Sequence, residues 1–226
     1  MARFRSSHGT TLDQAAERRP IKARELAASQ AIARFLAARG IGANAISVAG
    51  LLCALLAGVL LGTTSAGSRW AWIAAALLME IRLLCNMLDG MVALEKGAGT
   101  KLGEVLNEVP DRLSDAAVLI GLGYAAGGSA WLGFAAALAA VFTTYVRILG
   151  SAMGLPADFR GPMAKPHRMH AAAITAVLCA ASASLGYGVN QADLPMGIPA
   201  LGLAVIGLGT VVTAIRRLER LIGGVG

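Results

Sequence analysis

In the run CNMLDGMVAL, residues 85–94, Asn86, Asp89, Gly90 and Ala93 fall at i, i+3, i+4 and i+7. A helix puts those positions on one face. A little further on, TKLGEVLNEVPDRLSDAA places Glu104, Asn107, Glu108, Asp111 and Asp115 along a second face, with Arg112 beside them. Both stretches lie among apolar residues. An ionised carboxylate in hydrocarbon costs about 2.5–3.5 kcal/mol even on the mildest scale, so these side chains must face a polar interior. Hard oxygen donors on two helices suit Mg2+, Mn2+ or Ca2+, and such ions beside a membrane interface suit phosphate chemistry. The plainer reading is an internal ion-pair cluster around Arg112. Against it, three aspartates and two asparagines outnumber their partners, and clustered carboxylates repel unless cations compensate them.

The elements that position these residues follow from composition. The chain has 226 residues, of which 56% are hydrophobic and 15% charged, and its mean hydropathy is +0.65. That is too apolar for an ordinary soluble domain. Gly and Ala are abundant, as suits helices that approach closely in a membrane. The fold class expected is therefore an all-α integral membrane protein. Residues 1–19 read as a polar tail. Residues 20–39 read as an amphipathic helix lying in the interface, with Ile21, Leu26, Ile32, Phe35 and Leu36 on one face. Six transmembrane helices follow, at 44–63, 70–95, 101–126, 129–153, 168–186 and 196–215, making residues 44–226 one membrane domain. No short apolar core precedes a small-residue cleavage site near the start, so insertion is expected to rest on the first membrane helix. Cys53, Cys85 and Cys179 all fall within apolar runs, without metal-ligand spacing, and read as small buried hydrophobes.

The net charge of +7 does not point to nucleic acid, because the positive residues cluster between hydrophobic spans. Eight Lys/Arg precede the first span. Lys96 and Lys101, then Arg160, Lys165 and Arg168, then Arg216, Arg217 and Arg220 fill alternate connections, whereas the opposite ones hold only Arg69. Both termini and the polar stripes are thus expected on the cytoplasmic side of the cell membrane. Arg147, inside TTYVRILG, joins Lys165 and Arg168 as a candidate for binding a phosphate. Ordinary topology anchoring explains the last two equally well. His167 and His170 read as interfacial residues.

The stretch from Asn86 to Asp111 resembles the signature of the CDP-alcohol phosphatidyltransferase family, D-x2-D-G-x2-A-R-x8-G-x3-D-x3-D. Here it reads Asn86, Asp89, Gly90, Ala93, Leu94, eight residues, Gly103, Asn107 and Asp111, with every interval kept. GANAIS, ahead of the first span, is similar to the family's N-x-I-T/S entry. Two motif aspartates are Asn here and the motif arginine is Leu94, a pattern that resembles a divergent branch of the family. Asn keeps an oxygen ligand but loses the charge.

The resemblance implies six membrane helices after an interfacial helix and displacement of CMP from a CDP-linked lipid by a small alcohol. It implies membrane lipids as surroundings, a homodimer, and Mg2+ or Mn2+ at Asn86, Asp89, Asn107 and Asp111. Asp111 is the implied base, and Asp89, Gly90, Ala93 and Gly103 are the implied nucleotide positions, the small ones leaving room against the backbone. Asp115, one turn beyond Asp111, is a further candidate metal ligand or base. Arg147, Lys165 and Arg168 then suggest a phosphorylated acceptor such as inositol phosphate or glycerol 3-phosphate. Two other classes remain open: an ion- or proton-coupled transporter, which requires polar residues continuing through the opposite half, and a catalytically silent scaffold, which the Asn replacements favour.

Overall fold

The computed structural model describes residues 27–65, 67–96, 101–185 and 196–225. The polar tail at 1–19 and the start of the expected amphipathic helix lie outside them. Within a bilayer every backbone N–H and C=O must find a partner in the chain, which drives long apolar runs to helix. The elements are α1 (Ala27–Ala38), α2 (Ala43–Thr63), α3 (Arg69–Glu95), α4 (Lys101–Tyr124), α5 (Ala130–Ala152), α6 (Lys165–Ser184) and α7 (Ile198–Val225).

Four of these helices, α2, α3, α5 and α7, are long and apolar enough to cross a membrane. The other two expected spans form helices, but their composition sets them apart. Helix α4 carries Glu108, Asp111, Arg112 and Asp115, and α6 opens with Lys165, His167, Arg168 and His170. The surface is apolar, with Trp131 87% and Leu208 70% exposed, as a lipid-facing exterior requires. Of the cysteines, Cys179 is buried, Cys53 and Cys85 are half-buried, and all are free.

Helix α2 packs along both α3 and α4, α3 also meets α6, and α5 lies between α4 and α7. Helix α1 rests on α3, where its Ala33 joins Ile46, Met87, Met91 and Val92 in a small core. Its Ile32 and Phe35 are exposed, away from the protein.

The bundle has two unlike ends. At one, Gly58 of α2 and Gly121 of α4 cross in backbone contact. A Cβ on Gly121 would lie 2.2 Å from the Gly58 carbonyl oxygen, so no other residue fits there without parting the helices. Leu61, Trp72, Leu119 and Leu122 fill the neighbouring interior. At the other end the same helices carry the polar stripes. There Pro110 sits inside α4 and lacks the N–H that would bond the Leu106 carbonyl, which loosens the ladder beside Asp111.

Candidate active site

The site begins with Arg82, four residues before Asn86 on the stripe of α3 and only 2% exposed. It has room because Gly50 of α2 carries no side chain: a Cβ there would meet Arg82 Cδ at 3.3 Å and Cys85 Cβ at 2.9 Å. Arg82 donates from Nε to Ser114 Oγ at 2.9 Å and from Nη2 to Asp111 Oδ1. The other oxygen of Asp111 pairs with Lys165 Nζ, and Arg112 stands 3.9 Å from it. Lys165 also donates to Asn86 Oδ1 at 2.8 Å. Asp89, buried, accepts from Ser47 Oγ of α2 at 2.6 Å. Oxygen donors from α3 and α4 therefore meet in one cluster closed by α2 and α6.

Asn107 lies one turn before Asp111 and is exposed, while Gly90, Ala93 and Gly103 are half-buried. The side chain of Glu104 lies outside the described residues.

A second group adjoins the first through Arg112. Arg147 Nη2 donates to both carboxylate oxygens of Glu108 at 2.8 Å, and Arg112 Nη2 reaches Glu108 Oε2 at 2.7 Å. Arg112 also donates to Thr144 Oγ1. The Arg147 guanidinium lies over the Phe159 ring, 5.4 Å from its centre.

Three expectations need correction. The acidic residues do not outnumber their partners: Arg82, Lys165 and Arg112 surround Asp111, Arg112 and Arg147 share Glu108, and Arg168 pairs with Asp115. Asp115 does not join the oxygen cluster. It is 1% exposed and its Oδ2 accepts from Arg168 Nη2 at 2.6 Å, because one further turn of α4 carries it inward onto α6. Nor do Arg147, Lys165 and Arg168 form one cationic pocket. They go separately to Glu108, to Asp111 with Asn86, and to Asp115. The sequence reading overlooked Arg82, detectable as a charge inside an apolar helix at i−4 from Asn86; Ser47 closes the GANAIS stretch noted in the sequence, but its contact with Asp89 was not foreseen.

The donor set fits a hard divalent cation. The Lys165 ammonium already lies between Asn86 Oδ1 and the Asp111 carboxylate, a positive charge held by oxygens from both motif helices. Arg82 Nη1 and Arg112 Nε are buried N–H donors with no hydrogen-bond partner, so beside those oxygens the cluster can also donate to an acceptor atom of an anionic ligand. Among the described residues no three His, Cys, Asp or Glu side chains gather as a metal-binding group, since two of the four motif positions are Asn. At the glycine end Trp72 and Leu122 lie in a buried hydrophobic cluster.

Comparison with known proteins agrees with this fold. Residues 41–215 match the family model for CDP-alcohol phosphatidyltransferase. The phosphatidylinositol phosphate synthase of Mycobacterium tuberculosis (strain ATCC 25618 / H37Rv) is 30% identical over 206 residues, 83% of this chain and 82% of the relative. Inner membrane protein YnbA of Escherichia coli (strain K12) is 30% identical over 126 residues, 56% of this chain and 62% of that protein. The crystal structure of the M. tuberculosis synthase with CDP-DAG bound has a TM-score of 0.65 at 22% identity, covering 85% of this chain and 92% of that one. A structure of the same synthase in complex with manganese and citrate also scores 0.65, at 23% identity, covering 85% and 88%. With its motif spacing kept and its oxygen donors gathered from two helices, this chain is an enzyme of the CDP-alcohol phosphatidyltransferase family.

Proposed function

We propose that this protein transfers a phosphatidyl group from CDP-diacylglycerol to a phosphorylated polyol of the inositol phosphate kind, releasing CMP. The observation that carries this reading is the meeting of Asp89, Asp111 and Asn86 beside Lys165 at the charged end of the bundle. Asn86, Asp89, Asn107 and Asp111 would hold Mg2+ or Mn2+, which neutralises pyrophosphate charge as CMP departs. Gly90, Ala93 and Gly103 leave space for the nucleotide. The acceptor hydroxyl attacks the phosphorus that bears diacylglycerol. A new P–O bond forms, the P–O bond to CMP breaks, and the hydroxyl proton passes to an Asp111 oxygen.

Arg147 and Arg112, which share Glu108 in the absence of acceptor, bind its phosphate. Phosphate offers both cations a more highly charged partner than a half-exposed carboxylate. In the membrane, α2 to α7 make six crossings with both termini and the site on the cytoplasmic side. The helix that includes α1 lies in the headgroup layer, and two copies pair as a homodimer.

The test is CMP release from CDP-diacylglycerol by purified protein with Mn2+ or Mg2+ and a panel of acceptors. Turnover with inositol 1-phosphate and not with serine or plain inositol is expected. Equal rates with unphosphorylated alcohols would defeat the acceptor assignment. Undiminished turnover by Asp89→Ala would defeat the metal assignment.

A further inference from the structure

On α7, Thr213, Arg217 and Arg220 fall at i, i+4 and i+7, one helical face, and all three reach the connection between α5 and α6. Topology alone does not explain this face. Arg216 is exposed, as an anchoring charge should be, but its neighbour Arg217 is buried at 7%. Arg217 donates from Nε to the Arg160 carbonyl and from Nη1 to the Thr143 carbonyl of α5, each at 3.0 Å. Thr213 Oγ1 accepts the Met163 N–H at 3.0 Å. Gly161, at φ 140°, passes so close that a Cβ on it would meet Thr213 Cγ2 at 2.2 Å. Arg220 Nη1 holds Asp158 Oδ2 at 2.7 Å.

The segment from Asp158 to Met163 is thus held at several points along α7. Phe159 lies inside it, against the Arg147 guanidinium. At the far end of the segment, the Met163 carbonyl accepts from Arg168 Nη1 at 2.9 Å, and Arg168 is in turn paired with Asp115.

We propose that Arg217 is a positioning residue for the acceptor side of the reaction: by tying the Arg160 carbonyl to α5 it seats Phe159 on Arg147 and so aims the Arg147 guanidinium. The role rests on the reading of Arg147 as a phosphate ligand. A guanidinium bonded to two carbonyls on different elements fixes their separation, which a surface charge does not. A flexible arginine aimed in advance loses less entropy on capturing its ligand.

The test uses the full chain in detergent, with deuterium exchange at residues 158–163 and steady-state kinetics on CDP-diacylglycerol and inositol 1-phosphate. Arg217→Gln should speed exchange in that segment and raise the acceptor KM about tenfold, with the donor KM within about twofold of wild type. Arg217→Lys, which reaches one carbonyl, should fall between. Unchanged exchange overturns the proposal, as does faster exchange with an unchanged acceptor KM or an equal rise in both KM values. Should Arg217→Gln fail to fold, Phe159→Leu carries the test, because it too must raise the acceptor KM alone. Wild-type protein that releases no CMP with any acceptor defeats the functional reading, and the positioning role with it; in active wild-type protein, an unmoved acceptor KM in the variant defeats the positioning role alone.

Discussion

Along the same helices, the half that holds Gly58 and Gly121 and the half that holds Asp89 and Asp111 are packed on opposite principles. In the first, backbones touch and Leu61, Trp72, Leu119 and Leu122 pack side by side in a buried hydrophobic cluster. Its cohesion is van der Waals contact summed over many atoms. In the second, charges from α3, α4 and α6 neutralise one another around Asp111. The contrast teaches that the glycine half anchors the bundle, whereas the charged half is held by pairings that a ligand can exchange. Thr143, Arg168 and Asp115 lie on the border, where Arg168 pairs with Asp115 while Arg168 Nε and Asp115 Oδ1 stay buried without partners.

If that division is right, substitutions in the two halves must separate activity from stability. The largest effect is expected at Asp111. Asp111→Asn removes the proton acceptor and should lower the rate of CMP release about a thousandfold, measured on protein that remains monodisperse. Next comes Arg82→Leu, which strands the buried Asp111 carboxylate between fewer partners. Thermal unfolding in detergent should show about 3–5 kcal/mol of lost stability. A loss no greater than that of an exposed substitution would erase the claim that pairing holds this half together. Gly121→Val, in the other half, should cost about 1–3 kcal/mol by overpacking, while the KM for CDP-diacylglycerol stays unchanged. A raised KM there would blur the division.

The smallest effect sits on the connection between α5 and α6. Partial burial pushes the Asp158 carboxyl up, but hydrogen bonds from Arg220 and Arg160 outweigh it and hold its pKa below the ordinary aspartate value. A depressed pKa contributes stability above the unfolded value, near about 4, and loses it as pH falls through the folded value. The pair is solvent-screened, so the contribution is under about 1 kcal/mol. Arg220→Gln should lower stability at pH 7 by under about 1 kcal/mol, leave it unchanged well below about pH 3, and so flatten the fall between; equal acid sensitivity in both proteins would remove Asp158 from the account.

Much of this was legible before the fold. Alternating charge between apolar runs located the helices, and the interval from Asn86 to Asp111 located the oxygen donors, because a helix converts spacing into a shared face. Arg147 was singled out as a charge set well inside its helix, though its partner Glu108 was not foreseen. The site's cation balance was less legible. Asp115 continues the stripe of α4 in sequence, yet it faces Arg168, since residues four apart drift around the helix and α6 is packed there. Arg217 looked like one of three topology charges, and only burial distinguishes it from Arg216.

The sequence by itself determined an all-helical chain with apolar spans and the residues able to bring oxygen ligands to one depth. Those properties depend on hydropathy and helical period, which are local. Which cation meets which carboxylate was decided by the tertiary structure. That choice depends on where Gly50, Gly58 and Gly121 let helices approach, and on which neighbour, from a distant part of the chain, fills the space opposite.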